Sequence, residues 1–251
     1  MEMALVTGAS KGLGYDVSRL LAEQGLKVIS LSRSTNERVQ RLTTIHKGLY
    51  SHISSDLTNV EAIEPLIREI CQQVVAEKPR KLIVINNAGT VEPIERLGFL
   101  DNQLIQRAIR INVLAPIMIN NTLLNELRDE AIEVVIVNVT SGAAERPFHG
   151  WNVYSATKAA INIHTKVAGL EQENGKTANK IIAFSPGIMD TEMQEKIRGA
   201  DEKAFTEIDQ FLSFKTDGKL RQPAQVAKAL VNLILNKNLI NGRVYSVGEI
   251  L

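Results

Sequence analysis

The 251-residue sequence predicts an α/β domain built on a doubly wound parallel sheet of about seven strands, with helices on both faces. Three observations predict it. Strand-like runs alternate with helical stretches from end to end. Several strand runs are continuously apolar, Leu82-Ile83-Val84-Ile85 among them, as befits strands covered on both faces. No linker rich in Pro, Gly or Ser and no break in composition divides the chain, so residues 1–251 read as one domain.

Met3–Thr7 is a short apolar strand that runs straight into a glycine-rich turn. Leu13–Gln24 carries Leu13, Val17, Leu20 and Leu21 on one helix face, and Gly25 stands where a helix C-terminus favours glycine. Lys27–Leu31 reads as the second strand, Thr35–Lys47 as a helix and Leu49–Ser54 as a weaker, alternating third strand. Asn59 is placed to cap a helix that runs to about Lys78 and that Pro79 ends. Lys81–Ile85 is the fourth strand. Asp101–Arg128 is a long helical stretch in which Pro116 predicts a kink. Glu133–Val139, nearly all β-branched, is the fifth strand, Asn152–Glu173 a helix and Lys180–Phe184 the sixth strand. Residues 187–218 are charged and irregularly patterned. Pro223 opens a helix through Leu235, and Arg243–Val247 is the last strand.

Composition narrows the function. Lys and Arg total 29 against 28 Asp and Glu, so the basic excess of a nucleic-acid-binding protein is missing. Cys71 is the single cysteine, which excludes an internal disulfide framework and suits a reducing compartment. No apolar run is long enough to cross a membrane, and Met1–Val6 lacks the pattern of a signal peptide, so a soluble cytoplasmic protein is expected. His46, His52, His149 and His164 show no metal-ligand spacing, and no metal is expected.

The turn Thr7-Gly8-Ala9-Ser10-Lys11-Gly12-Leu13-Gly14 lies between a strand and a helix. Glycines there let a pyrophosphate approach the free N–H groups at the helix N-terminus. The spacing is G-x-x-x-G-x-G rather than the commoner G-x-G-x-x-G. The second strand ends Leu31-Ser32-Arg33-Ser34, without the acid that would hold a ribose 2′-hydroxyl. Arg33 and Lys11 are instead suited to a 2′-phosphate, so NADP(H) is the expected cofactor.

Tyr154 and Lys158 stand four apart on a predicted helix and share one face. A tyrosine hydroxyl has a pKa of about 10, and a neighbouring ammonium favours its ionised form. Such a pair suits protonation of a carbonyl oxygen as hydride reaches the carbon.

Thr7-Gly8-x-x-x-Gly12-x-Gly14, Asn86-Asn87-Ala88-Gly89, Asn112, Ser141, Tyr154-x-x-x-Lys158 and Pro186-Gly187 occur together and in this order. In this the whole chain resembles the single-domain short-chain dehydrogenase/reductases, which have a Rossmann fold. The resemblance implies that Ser141 bonds the substrate carbonyl and that Tyr154 is the acid/base. It implies that Lys158 lowers the tyrosine pKa and holds the nicotinamide ribose, while Asn112 fixes a water in a proton relay. By the same resemblance Gly8, Ser10, Lys11, Gly12, Leu13, Gly14, Asn87, Ala88 and Gly89 line the cofactor cleft, and Asp56 contacts the adenine. Pro186, Gly187, Ile188 and Thr191 form the nicotinamide-side loop. The family habit is a homodimer or tetramer built on the helices Asp101–Arg128 and Asn152–Glu173.

Two branches of the family are similar in finer detail. Gly187–Gln194 resembles the corresponding run of sepiapterin reductases, which reduce a pterin side chain. Asn86–Pro93, Phe148-His149-Gly150-Trp151 and Lys219-Leu220 resemble bacterial benzil reductases, which use NADPH on one carbonyl of a vicinal diketone. The latter implies a small-molecule apolar or aromatic ketone substrate of the benzil to (S)-benzoin type. His149, Trp151, Met189 and Met193 are then expected to border the substrate pocket, under a covering segment formed by residues 187–218. A pterin-side-chain reductase and a non-catalytic NADP-binding sensor stand as alternatives. Glu249, in the region where sepiapterin reductases carry their pterin-holding acid, is read as a solvated terminal residue.

Overall fold

The computed structural model describes residues 1–251. In chain order its elements begin with β1 (Glu2–Thr7), α1 (Gly12–Glu23), β2 (Lys27–Ser32), α2 (Glu37–Ile45), β3 (Tyr50–Ser54), α3 (Ile63–Glu77) and β4 (Lys81–Asn86). There follow α4 (Asn102–Ile109), α5 (Ala115–Glu126), β5 (Glu133–Val139), α6 (Asn152–Asn174) and β6 (Lys180–Ser185). The chain closes with α7 (Glu192–Arg198), α8 (Ile208–Thr216), α9 (Pro223–Asn236), β7 (Val244–Ser246) and α10 (Val247–Ile250). The seven strands form one parallel sheet in the order β3-β2-β1-β4-β5-β6-β7. Strand order reverses between β1 and β4, where an open α/β sheet forms its crevice.

Alternate residues of each strand serve opposite faces. On β1, Ala4 and Val6 join a core with α1, α2 and α9, whereas Met3 and Leu5 join one with α3 and α5. Every residue of β4 from Leu82 to Asn86 is buried, which is why its sequence is a continuous apolar run. Toward the carboxyl ends of β4 and β5, where Asn86 pairs with Asn138, the packing is polar. Asn86 Nδ2 donates to Asn120 Oδ1 (2.7 Å) and Asn138 Oδ1 (2.9 Å), and Asn138 Nδ2 donates to Thr165 Oγ1 (3.0 Å). These bonds tie two strands to α5 and α6.

Helix ends follow local chemistry. Gly25, with φ +84°, closes α1 as the sequence suggests: its N–H donates to Ala22 O and that of Leu26 to Leu21 O. Asn36 Oδ1 caps α2 by accepting from Val39 N at 3.0 Å, so this helix starts later than its sequence pattern. Asn59, in contrast to expectation, makes no capping bond, and a 3₁₀ turn over Val60–Ala62 leads into α3. The reason lies upstream, where Asp56 Oδ1 accepts from the N–H (3.0 Å) and hydroxyl (2.9 Å) of Thr58 and sets the turn.

The long stretch 101–128 is two helices joined by a π turn over Arg110–Leu114. The helical backbone runs unbroken through this turn, and Pro116 is the second residue of α5. Its missing N–H and its ring act on the carbonyl four residues back, that of Asn112, and the helix widens there. The last strand is shorter than the expected Arg243–Val247, because Ser246 caps α10 by accepting from Gly248 N at 3.1 Å. No helix is long and apolar enough to cross a membrane.

The backbones of α6 and of the turn before β7 come unusually close: a Cβ on Gly169 would lie 2.3 Å from Gly242 N. Gly169→Ala is expected to cost about 1–3 kcal/mol as backbones are pushed apart, read as a lower urea midpoint. Gly142→Ala, where a Cβ meets nothing within 4 Å, is the control. Equal midpoints for the two variants would contradict this packing.

Candidate active site

The carboxyl ends of β1 and β4 are clamped to each other. Thr7 Oγ1 accepts from the backbone N–H of Asn87 and of Ala88, both at 3.0 Å. Asn87 Nδ2 donates back to the carbonyls of Thr7 and Gly8, both at 3.1 Å. Only glycine fits this contact. A Cβ on Gly8 would lie 2.9 Å from Ala88 Cα, and one on Gly14 would lie 2.4 Å from Gly8 O.

The clamp leaves a cleft of about 740 Å³ above the sheet, walled by Gly8, Ser10, Lys11, Gly12 and Leu13 on one side and Asn87, Ala88 and Gly89 on the other. No side chain caps α1, so its first N–H groups are available to a ligand. Ser32, Arg33, Ser34, Asn36 and Arg38 line the far end. Lys11 lies on the wall and forms an ion pair with Glu192, the first residue of α7.

A second cavity of about 320 Å³ adjoins the cleft, sharing Leu13, Asn87, Gly89, Met189, Thr191 and Met193 with it. Ser141, Tyr154 and Lys158 line it. Ser141 follows β5, and its hydroxyl accepts from Ala143 N at 3.2 Å. Tyr154 and Lys158 are one turn apart on α6, and both are buried. The Lys158 ammonium lies 5.7 Å from the centre of the Tyr154 ring and donates to Val139 O at 2.9 Å.

Burial governs both ionisations. It pulls Lys158 down to about 8. It pushes the Tyr154 hydroxyl above its ordinary value, while the Ser141 hydroxyl pulls the other way. The sequence reading had Lys158 lowering the tyrosine; here desolvation prevails, and the ammonium is turned to a backbone carbonyl. Asn112 is buried in the π turn. Its Oδ1 accepts from Thr90 N (2.9 Å), and its Nδ2 donates to Thr90 O (2.8 Å) and Thr157 Oγ1 (3.1 Å). It thereby joins the loop after β4 to α6, one residue from Lys158.

The aromatic side chains Phe148, Trp151, Phe211 and Phe214 also line the cavity. Four of the six phenylalanines, Phe148, Phe205, Phe211 and Phe214, pack with Trp151 and Tyr154. Trp151 stacks on Phe205 with centroids 5.0 Å apart and meets Tyr154 edge-on at 5.2 Å. Residues 192–216 of α7 and α8 supply Met193, Gln194, Ile197, Phe211 and Phe214 to this wall.

Most of the residues singled out in the sequence gather here: Pro186, Gly187, Ile188, Met189, Thr191 and Met193 line the second cavity beside Trp151. Four do not reach a wall, Asn112 among them, its side chain bonded to Thr90 and Thr157 as described above. His149 is exposed and turned outward, its backbone N–H donating to Glu207 Oε1 at 3.4 Å, because its neighbours Phe148 and Trp151 take the inward positions. Asp56 is occupied by Thr58, and Ser55 and Leu57 face the cleft in its place. Gly14 serves the backbone contact described above. Sequence reasoning missed Arg38 and Gln194. Arg38 was visible as a second cation in the first turn of the helix after Arg33; Gln194 was visible as the last residue of the Gly187–Gln194 run, three residues after Thr191.

No group of three His, Cys, Asp or Glu side chains is arranged to hold a metal ion. The Glu249 carboxylate pairs with Arg243 at 3.2 Å and lines neither cavity.

Known proteins are similar to this chain in sequence and fold. The family model for short chain dehydrogenases matches residues 2–202. The chain is 36% identical to the benzil reductase ((S)-benzoin forming) of Bacillus subtilis (strain 168), over 100% of both chains. It is 32% identical to that of Bacillus cereus, over 99% of this chain and 100% of the other. Among solved structures, that of the KRED1-Pglu enzyme superposes with a TM-score of 0.84 at 26% identity, over 98% of this chain and 100% of that one. A crevice at the sheet's reversal point, with a tyrosine and a lysine one turn apart beside it, thus accompanies full-length similarity, and the chain belongs to the short chain dehydrogenase family, as an oxidoreductase of C=O and CH–OH groups that works with a nicotinamide cofactor.

Proposed function

We propose that the protein is an NADPH-dependent carbonyl reductase acting on one carbonyl of an apolar or aromatic 1,2-diketone, of the benzil to (S)-benzoin type. The observation that carries this reading is the position of Tyr154, buried where a dinucleotide-sized cleft meets an aromatic-walled cavity. The full-length similarity to two benzil reductases supports the substrate class.

The cleft suits the cofactor. The uncapped start of α1 and the turn Gly8–Leu13 would hold the pyrophosphate. Arg33 and Arg38, with Lys11, would hold the 2′-phosphate, and Ser55 and Leu57 would border the adenine in place of Asp56. Pro186, Gly187, Ile188 and Thr191 would take the nicotinamide end. NADPH supplies the hydride. Ser141 holds the substrate carbonyl oxygen, and Tyr154 gives it a proton. Lys158 keeps positive charge beside the tyrosine and restores its proton through a water held by Asn112, whose carbonyl lacks the usual helical donor because residue 116 is proline. Residues 187–218 cover the substrate within a single domain of 251 residues and keep water from the reaction. Glu249 is held by Arg243, which disfavours the pterin reading.

The protein acts in the cytoplasm as a homodimer in this proposal. Cys71 is buried, and burial followed by Glu126 pushes its thiol up to about 12, so it stays un-ionised. Ile163, Val167 and Leu170 form an exposed apolar stripe on α6, and Leu104, Ile109 and Leu114 are exposed on α4 and the π turn. These faces are where the long helices would pair. Sedimentation equilibrium should give twice the 27.7 kDa chain mass; a monomer at micromolar concentration would overturn the pairing.

Reduction needs a protonated Tyr154 and a charged Lys158. Rising pH removes the lysine proton first, near 8, because Tyr154 titrates above its ordinary 10.0. Reductive kcat/KM should therefore be level below about pH 8 and decline above it; a profile flat to pH 10 would contradict this account. Tyr154→Phe should cut diketone turnover about 10²- to 10⁴-fold while still binding NADPH, and undiminished turnover would refute the mechanism. Arg33→Glu should raise KM for NADPH at least about tenfold more than that for NADH, the loss of one charge-assisted bond, with Arg38→Glu acting in the same direction. Equal effects on the two cofactors would remove the assignment to NADPH.

A further inference from the structure

We propose that the Gln194 side-chain amide donates a hydrogen bond to the second carbonyl oxygen of a vicinal diketone, and so selects dicarbonyls over monoketones. The inference rests on the carbonyl-reductase reading above and adds a specificity-determining residue to it.

Gln194 is only 5% exposed, yet it lines the cavity that holds Ser141 and Tyr154. Its spacing from Thr191 offers an ordinary explanation. A Thr-x-x-Gln sequence at a helix start makes a capping box, in which the glutamine side chain turns back to the backbone N–H of the threonine. Here only half of that box forms. Thr191 Oγ1 accepts from Gln194 N at 3.5 Å, but the glutamine side chain makes no return bond. It is engaged by Arg198, whose Nη1 donates to Gln194 Oε1 at 3.2 Å.

That contact fixes the orientation of the amide. A guanidinium has donors only, so the atom facing it must be the oxygen, and Nε2 points the other way. Nε2 has no partner within the protein, and it is not among the polar atoms sealed from solvent without one. It is therefore a free donor on a wall that is mostly apolar. Gln210 and Arg146, further polar side chains of this wall, are exposed at its rim; Asn87, Thr90, Thr140, Ser185 and Thr191 also line it, and the Trp151 Nε1–H is buried there without a partner. Ser141 and Tyr154 occupy the reacting oxygen. A substrate with a second oxygen on the adjacent carbon gives Nε2 an acceptor; a monoketone leaves it unpaired as the substrate displaces water, which is unfavourable.

The test compares benzil with deoxybenzoin, in which a methylene replaces one carbonyl between the same two rings, using the wild type, Gln194→Leu, Gln194→Glu and Arg198→Met. The readout is the ratio of kcat/KM for diketone to that for monoketone, which a purely structural role of Gln194 would leave unmoved. The ratio should fall about tenfold in Gln194→Leu, the worth of one hydrogen bond. It should fall also in Gln194→Glu, which keeps the volume without the donor. Arg198→Met releases the amide and should lower the ratio by a smaller factor, with Arg198 as a positioning residue. A ratio unchanged in both Gln194 variants, with the wild type active on both ketones, overturns the role of Gln194 alone. A wild type inactive on both ketones overturns the parent reading and this inference with it.

Discussion

The clamp between Thr7 and the Asn87-Ala88 backbone is the constraint on which the site depends. Parallel strands cannot turn back on themselves, so β1 and β4 leave the sheet in different directions, into α1 and into the 87–101 loop. Without a tie at that point, the two segments would be separate surface loops. The Thr7 hydroxyl and the Asn87 amide make four hydrogen bonds across it. The glycines at 8 and 14 permit the approach, since any side chain there would meet backbone or amide. The glycines of the turn thus act in two ways. Gly12 faces the cleft, whereas Gly14 has no place on its wall and serves the contact that forms it.

A second dependence runs from Pro116 to Lys158. Proline denies a helical bond to the carbonyl of Asn112, the helix opens into a π turn, and the Asn112 side chain is presented between Thr90 and Thr157. Thr157 precedes Lys158 on α6, so one backbone irregularity sets the position of α6 against the β4 loop. Lys158 itself is held in a costly state. Burial disfavours its charge, and one carbonyl, that of Val139, accepts from its ammonium. A lysine near 8 is poised to exchange a proton at neutral pH, as a surface lysine is not.

The sequence showed the sheet clearly because its strands are buried on both faces, and their apolar runs needed no arbitration against helix periodicity. It showed the Tyr154 and Lys158 pair because i and i+4 spacing on a helix is a geometric statement. It was less informative wherever a side chain had two possible partners. Asn59 looked like a helix cap, but the Asp56 turn had already set the approach to the helix. Lys158 looked like a lowering influence on Tyr154, but spacing says nothing of desolvation, and burial pushes this hydroxyl up. His149 and Trp151 looked equivalent, yet only the indole is inside. Arg38 and Gln194 reach their walls through folding of separate segments, and no local pattern records that.

The covering segment shows which forces hold the site closed. Two ion pairs, Lys11–Glu192 and Lys196–Glu92, tie α7 to the glycine turn and to the loop after β4. Their side chains are roughly half exposed, so each contributes about 0–1 kcal/mol and is screened by salt. Against this, Ile197, Phe205, Ile208 and Phe211 are all buried, and each contributes about 1.5–3 kcal/mol by leaving water. Apolar packing therefore holds the segment, and the ion pairs orient it. The consequence for chemistry is direct. Two of the residues that fasten the cover, Ile197 and Phe211, also line the cavity, so an aromatic substrate extends the packing that keeps water out, whereas a charged one would disrupt it. The few rings in this chain are concentrated where one face of the substrate has to be dry and the other within reach of Tyr154.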